Sequence, residues 1–269
     1  MLIWVCALHC EAKPVIDFYR LKKSHEHSAF DVYRGDDMTC VISGVGKVAS
    51  AAASAWIAAG YRDHTTLTWI NLGVAGAAEH DIGELFLLNK VVDADSGQRY
   101  YPAPVAASSL SGSACLTLSQ PSDDYRETTL FDMEASGFMY SALRFSSAEL
   151  TQSLKIVSDN RKRQIGRNRP QVSQLIHQHI DAIDRQAAAL GKLGDEIAAL
   201  EIAPESWQQL LSMAHFTQTQ KNRLRVLWRY LCNRDFASES LLQQLAAQNS
   251  ARAMIDTLEQ ISSRDSEAL

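Results

Sequence analysis

Up to residue 160, short apolar runs alternate with segments of helical pattern, and this alternation restricts the possible folds more than any other feature. The first run, residues 2–8 (LIWVCAL), has the composition of a strand that is covered on both faces of a sheet. Further strands are predicted at residues 30–34, 38–43, 67–72, 84–92, 114–119 and 154–158. Helices are predicted at residues 12–23, in the alanine-rich segment that ends at Gly60, and at residues 133–145. Alternating strands and helices indicate an α/β sheet with helices packed on it.

The chain changes character after Asn160, where a basic, glycine-containing connection begins and no further strand is predicted. Apolar residues at helical spacing predict an amphipathic helix over residues 170–190. Further helices are predicted at residues 204–213, 217–232 and 238–261. We therefore expect an α/β domain over residues 1–190 and an all-helical extension over residues 191–269, packed on the core or on another subunit.

The overall charge does not favour nucleic acid as a partner. The chain of 269 residues has a net charge of -5 and a pI near 5.9, whereas nucleic-acid binding usually needs a strongly basic face. Basic and aromatic residues such as Arg225 and Trp228 do alternate in the extension, which leaves nucleic-acid contact as an alternative. The helical spacing of its leucines is better explained by packing in a core.

Cysteine usage and the N-terminal sequence predict a soluble, cytoplasmic protein. The five cysteines are odd in number and mostly lie in apolar runs, which is typical of reduced, buried thiols. No second Cys/His pair completes a zinc site with Cys6 and Cys10, so no metal is expected. The N-terminus lacks the basic region and cleavage site of a signal peptide, and no apolar run is long enough to span a membrane.

Unusual residues follow the predicted strands, at the edge of the sheet where ligands bind in α/β proteins. These segments are His9-Cys10-Glu11, Ser43-Gly44-Val45-Gly46-Lys47, the run from Asn71 to Gly76 (NLGVAG), Asp132-Met133-Glu134, and Ser158-Asp159. Carboxylates close to small residues and glycines at such an edge predict a small-molecule site.

Four of these segments resemble, in their order along the chain, the motifs of methylthioadenosine/S-adenosylhomocysteine nucleosidases and their phosphorylase relatives. SGVGKVASAAA is similar to the glycine-lysine motif, and NLGVAGAAEHDIGELFLLNKVV to the glycine-rich strand end, with Gly83-Glu84 in place of Gly-Asp. FDMEASGF is similar to the Met-Glu motif, and KIVSDN to the Ser-Asp motif. The resemblance covers roughly residues 1–190. It implies a nucleoside phosphorylase-like central mixed sheet flanked by helices, with no cofactor.

The reaction of this family explains the need for carboxylates. A purine leaves more easily when a general acid protonates it, and the sugar carbon then gains oxocarbenium-like positive charge. The resemblance assigns the acid to Asp159, the contact with the ribose to Glu134 with Met133 packing on the sugar, and the activation of water to Glu11. From the residues alone, Asp159 also fits a helix N-cap, Glu134 a first-turn residue, and Glu11 an exposed residue that opens a helix.

Further substrate contacts are expected around these groups. They involve Ser43, Gly44, Gly73, Val74 and Ser158 near the ribose, and Tyr125 stacking on the base. Lys155, where relatives often carry arginine, is expected to pair with Glu134 or to be a solvated edge residue.

Two departures from the family pattern bear on the nucleophile. Val74 stands where relatives often carry Ser or Thr, and residues 6–14 contain no arginine of the kind that binds phosphate in the phosphorylase branch. We therefore expect hydrolysis of the N-glycosidic bond of a purine nucleoside or thioether nucleoside by a homo-oligomeric enzyme. A phosphorylase that uses phosphate, and a degenerate nucleoside-binding or regulatory protein, remain the alternatives.

Overall fold

The computed structural model describes residues 1–24, 29–61, 66–106, 108–122, 129–164, 168–200, 204–234 and 236–267. The chain divides into two compact units, Met1–Asp195 and Glu196–Leu269. The first unit is an α/β structure and the second is helical.

The first unit contains a single mixed sheet. Its strands are β1 (Leu2–Cys6), β2 (Lys22–Lys23), β3 (Asp31–Arg34), β4 (Met38–Ile42), β5 (Thr68–Ala77), β6 (Leu85–Asp93), β7 (Arg99–Tyr100), β8 (Ser111–Thr117), β9 (Leu130–Asp132), β10 (Thr151–Asn160) and β11 (Arg163–Gln164). The helices that begin in this unit are α1 (His9–Phe18), α2 (Lys47–Ala59), α3 (Ala135–Ala142), α4 (Arg169–Gln178) and α5 (Ile180–Ala199).

The strand pairing closes part of the sheet on itself. β1 lies between β4 and β5, parallel to both. β10 lies parallel to β5 on one side and antiparallel to β6 on the other. β6 pairs with β8, β8 with β9, and β9 returns to β5, so these five strands form a ring. Parallel β1, β5 and β10 therefore end at the same edge, which is where the candidate site lies.

Helices α2 and α3 of the first unit pack closely together. A Cβ atom at Gly137 would lie only 1.8 Å from the carbonyl oxygen of Lys47, so α3 needs a glycine there. Fully buried Trp69 and Phe138 meet edge to face at 6.4 Å in the core beneath these helices. This packing fixes the first turn of α3, which follows the Met133-Glu134 pair.

The second unit consists of α6 (Pro204–Met213), α7 (Gln218–Cys232), α8 (Glu239–Ala246) and α9 (Ala251–Glu267). Buried Leu224, Trp228 and Leu258 belong to its own apolar core. Thr217 caps α7 by accepting a hydrogen bond from the Gln220 backbone amide. No helix in the described part of the chain is long and apolar enough to cross a membrane.

The α/β fold and the helical C-terminal region confirm the predicted fold class, but several bounds were wrong. α1 begins at His9 because the Glu11 side chain accepts a hydrogen bond from the Leu8 backbone amide, as the third residue of a capping box does. Pro14 therefore lies inside α1 and not in its first turn. The helix ends at Phe18, ahead of Arg20 at φ +54°, a left-handed conformation that stops helices.

Later bounds differ in the same way. β5 continues through its glycines to Ala77, and the two-residue strand β11 follows residue 160, where none was expected. The helix predicted over residues 170–190 is two helices separated at His179, and the helix predicted over residues 238–261 is likewise two, α8 and α9.

Candidate active site

A cavity of about 320 Å³ opens at the carboxyl ends of β1, β5 and β10. Six of the residues predicted for the site line it together: Glu11, Val74, Met133, Glu134, Ser158 and Asp159. Leu118, Gln120, Phe131 and Val45 form much of the remaining wall. Tyr125, predicted to stack on the base, lies outside the described residues.

Glu11 is buried at the start of α1, with 4% of its surface exposed. Its Oε2 accepts a hydrogen bond of 2.9 Å from the Leu8 backbone amide, and its Oε1 accepts one of 3.0 Å from the Val74 backbone amide. Burial raises the pKa of Glu11, and nearby Lys155 acts against that rise. The alternative of an exposed residue is therefore wrong for Glu11.

Glu134 lies just before α3 and is also buried. Its Oε1 accepts a hydrogen bond of 2.8 Å from the Gly46 backbone amide, so the carboxylate holds the loop before α2 and does not cap its own helix. Gly46 has φ +103°, a conformation that favours glycine. Burial raises the pKa of Glu134 to about 7, with Lys155 opposing the rise and the Asp132 and Glu11 carboxylates adding to it.

A buried ion pair lies beside these two carboxylates. Lys155 of β10 is 1% exposed, and its Nζ is 2.9 Å from Oδ2 of Asp132 at the end of β9. Asp132 also accepts hydrogen bonds from the Thr117 hydroxyl at 2.7 Å and the Ala135 backbone amide at 2.8 Å. Burial opposes ionisation of both partners, yet the pKa of Asp132 is lowered by Lys155, and that of Lys155 is raised by the surrounding carboxylates.

The ion pair corrects the expectations for Lys155. Its contact is with Asp132 and not with Glu134, and it is not a solvated edge residue. Asp132 lines the cavity but was not predicted as a site residue. The sequence did contain a signal for an acidic partner of Lys155, because a lysine inside an apolar strand such as LKIVS needs one when that strand is buried.

Three residues predicted to bind substrate do not line the cavity: Ser43, Gly44 and Gly73. The Ser43 hydroxyl donates to the Gly44 carbonyl oxygen at 2.8 Å, and Gly44, at φ +83°, donates its amide to the Ala7 carbonyl oxygen. Gly73 makes room for the charged groups, since a Cβ there would lie 2.8 Å from Oε1 of Glu11 and 3.4 Å from Nζ of Lys155. These residues support the backbone and the charged side chains around the cavity without lining it.

Asp159 lies on β10, after a shift of the β5–β10 register between Val157 and Asp159. The shift is a bulge at Ser158, and bulges reorient side chains near sites. The Ser158 hydroxyl donates to Oδ2 of Asp159 at 2.5 Å, and the carboxylate is partly exposed. Because Asp159 pairs with Gln164 of β11, the alternative of a helix N-cap is wrong.

The charge of the cavity is acidic. Four carboxylates line it, from Glu11, Asp132, Glu134 and Asp159, and no Lys, Arg or His is among the lining residues of the described chain. The buried cation beside them, Lys155, is engaged by Asp132. Lys47, next to the glycine loop, is engaged by Asp93 at 2.7 Å and Asp95 at 2.6 Å.

The α/β fold is that of the methylthioadenosine/S-adenosylhomocysteine nucleosidases. It is similar to such an enzyme of Colwellia psychrerythraea 34H in complex with adenine, at a TM-score of 0.56 and 15% identity, over 71% of this chain and 95% of that one. The apo 5′-methylthioadenosine nucleosidase of Arabidopsis thaliana gives a TM-score of 0.53 and 17% identity, over 73% and 95%. The enzyme of Neisseria meningitidis with methylthio-immucillin-A gives 0.51 and 16%, over 73% and 96%.

The alignment covers almost the whole length of each of these structures. The aligned share of this chain is close to the share that the Met1–Asp195 unit makes up. No protein-family model matches the chain, and no curated protein matches it either. The resemblance seen in the motifs is thus confirmed for the fold.

Proposed function

We propose that the chain hydrolyses the N-glycosidic bond of a purine nucleoside or thioether nucleoside. The observation that carries this proposal is the convergence of Glu11, Glu134 and Asp159 on one cavity, although they are far apart in the sequence. Each comes from the end of a different part of the sheet, and in an α/β fold that edge is the usual place for a ligand. The likeness of the fold to nucleosidases supports the same conclusion.

The environments of the three carboxylates fit three roles. Asp159, partly exposed beside the Ser158 hydroxyl, protonates the base as it leaves. Glu134, next to Met133, accepts hydrogen bonds from the ribose hydroxyls and favours the positive charge of the transition state. Glu11, oriented by two backbone amides, accepts a proton from the attacking water.

Water is the proposed nucleophile because the cavity is unsuited to an anion. Four carboxylates around a phosphate would repel it, and among the described residues that line the cavity no cation offsets them. The side chain of Val74 also provides no hydroxyl for an anion, although its backbone amide is present and already donates to Glu11. The phosphorylase alternative is therefore not favoured.

The test measures base release from purine nucleosides and their 5′-thioethers, with and without phosphate. We expect release that does not require phosphate, and a loss of about 10²- to 10⁴-fold in kcat for Asp159→Asn. Asp36→Asn, at an exposed turn, is the matched control and should retain the wild-type rate. Strict dependence on phosphate would contradict hydrolysis, and nucleoside binding with no release would indicate the regulatory alternative.

Three further proposals concern the protein as a whole. We propose a homo-oligomer, since Val48 and Trp56 on α2 are 79% and 38% exposed; sedimentation of the full chain tests this.

We propose a cytoplasmic location, which suits five cysteines that are all free. We propose that residues 191–269 are a distinct helical extension, which the separate apolar core supports.

A further inference from the structure

A turn at residues 80–84, between β5 and β6, holds the strand that carries Asp159. The Gly83 backbone amide donates a hydrogen bond of 2.8 Å to the Val157 carbonyl oxygen, and the Val157 amide donates one of 2.9 Å to the Glu84 carbonyl oxygen. The regular pairing of β10 with β6 ends one residue before Val157. The 80–84 turn therefore engages both backbone polar groups of the last residue before the bulge of β10.

The register at Val157 decides where Asp159 points. Successive side chains of a strand point to opposite faces of the sheet, so a slip of one residue would turn the Asp159 carboxylate away from the cavity. A bulge interrupts the ladder of hydrogen bonds and leaves one residue unpaired, which here is Ser158 opposite β5. The two bonds to Val157 fix the register on the near side of this interruption.

The 80–84 turn contacts β10 on the far side of the bulge as well. The His80 carbonyl oxygen accepts a hydrogen bond of 3.1 Å from Nδ2 of Asn160. The turn is closed by its own side chain, because Oε1 of Glu84 accepts a hydrogen bond of 2.8 Å from the Asp81 backbone amide. The same turn thus holds β10 both before and after the proposed general acid.

The His179 side chain supports this turn from the helices. Its Nε2 donates a hydrogen bond of 2.5 Å to the carbonyl oxygen of Gly83, the residue whose amide engages Val157. The His179 backbone lies between α4 and α5, where its amide donates to the Ile176 carbonyl oxygen at 3.0 Å and its carbonyl oxygen accepts from the Ile183 amide at 2.9 Å. Both helix ends fix the imidazole, which does not line the cavity.

We propose that His179 is a positioning residue for the general acid: it holds the 80–84 turn against the bulge of β10 and so keeps the Asp159 carboxylate in the cavity. The inference rests on the proposed function, in which Asp159 protonates the leaving base. A displacement of about 1 Å in a reacting group can cost about 10²-fold in rate, so this support matters for kcat. The ribose contact of Glu134, on a different element, does not depend on it.

The test measures kcat and KM for base release from a purine nucleoside in the wild type, His179→Leu, Asp159→Asn and the double variant. We expect His179→Leu to lower kcat about 10- to 100-fold and to leave KM unchanged. The double variant should be no slower than Asp159→Asn, because His179 then has no acid to position. Losses that multiply in the double variant, or an unchanged kcat in His179→Leu, would overturn the inference.

Two further variants identify the hydrogen bond as the cause. His179→Gln keeps an amide donor near the position of Nε2 and should recover most of the lost kcat. Gln178→Leu, at an exposed position of α4, is the matched control and should keep the wild-type rate. If His179→Gln is as slow as His179→Leu, the bond to Gly83 is not what positions the acid.

Hydrogen exchange separates a failure of this inference from a failure of the proposed function. We expect the Val157 amide to exchange about 5- to 10-fold faster in His179→Leu than in the wild type, with no change in β1. If the wild type releases base from no purine nucleoside, the proposed function is wrong and exchange at Val157 decides the inference. Faster exchange there would support the hold of His179 on the bulge, and unchanged exchange would overturn it.

Discussion

The two units of the chain bury different kinds of side chain. In the α/β unit, buried residues include charged groups such as Glu11, Asp132 and Lys155. In the described part of the helical unit, every buried residue is apolar, as Leu224 and Trp228 are. Charge inside a protein is costly unless it is paired and hydrogen-bonded, whereas apolar packing carries no such cost. The α/β unit therefore keeps charged side chains in its interior, at and beside its cavity, whereas the described interior of the helical unit is apolar.

The largest expected effect comes from breaking the buried ion pair. Lys155→Met leaves the Asp132 carboxylate without its partner, and we expect the free energy of unfolding of the α/β unit to fall by about 3–5 kcal/mol. Urea unfolding measures this. Lys22→Met, at an exposed strand, is the control and should have little effect. Adding Asp132→Asn should recover part of the loss; no recovery would show that packing of Lys155, and not its charge, matters.

The counterpart in the helical unit removes apolar packing. Leu224→Ala leaves a cavity in that core, and we expect a loss of about 2–5 kcal/mol in the unfolding of this unit. The matched control is Leu200→Ala, since Leu200 is 51% exposed. In calorimetry, the unfolding temperature of the helical unit should fall. Below that lowered temperature, base release should stay at its wild-type rate. A parallel loss of activity would contradict the separation of roles.

A smaller effect is expected where the backbone makes room for charge. Gly73→Ala places a Cβ against the Glu11 carboxylate, and we expect about 1–3 kcal/mol of destabilisation together with slower base release. Gly191→Ala in α5 is the control, because a Cβ there has nothing within 4 Å and should stabilise the helix slightly. An unchanged kcat in Gly73→Ala would show that Glu11 does not need its present position.

The last expected effect depends on pH and concerns the protonation of Glu134. The pKa of Glu134 is about 7 in the folded chain against 4.5 for an ordinary glutamate, so between these values the folded state binds more protons than the unfolded state. The stability that this group contributes is therefore lost as the pH rises from 4.5 through 7. At pH 8 we expect Glu134→Gln to be more stable than the wild type by up to about 3 kcal/mol, with little difference near pH 4.5.

Urea unfolding at pH 5, 6, 7 and 8 measures this difference. Glu205→Gln, on an exposed position of α6, should unfold in parallel with the wild type at every pH. Parallel curves for Glu134→Gln as well would mean that the buried carboxylate is ionised throughout the range.

The sequence predicted the longer strands in their order, but not the short β2, β7, β9 and β11, and it predicted most of the charged groups that meet at the cavity. These predictions succeeded because apolar runs and glycine-rich strand ends are local signals, as at Gly76 and Glu134, which both line the cavity. The ion pair of Asp132 and Lys155 was not predicted, because it joins β9 and β10 across a pairing that no local pattern specifies. The start of α1 was missed for the same reason, since Glu11 is both a helix cap and a contact of distant Val74.

A cavity of about 830 Å³ between α1 and α4 also could not be predicted from the sequence. Lys13 and Arg169 belong to helices that are more than a hundred residues apart, and each alone looks like an ordinary surface cation. Only the packing of α1 against α4 gives them a common space. Ser43 and Gly44 do not line the cavity, since a motif indicates which loop is near a ligand but not which of its atoms face it.

The ring of strands has a consequence for synthesis of the chain. β10 is inserted between β5 and β6, yet it is made long after both of them. A nascent chain that has reached residue 150 therefore has unpaired edges on β5 and β6, and such edges invite pairing with other chains. It also lacks Lys155 and Asp159, so Asp132 has no buried partner and the carboxylate proposed as the acid is missing. The sheet and the cavity are therefore both completed by the same ten residues, and until then the unpaired edges are where a chaperone would bind.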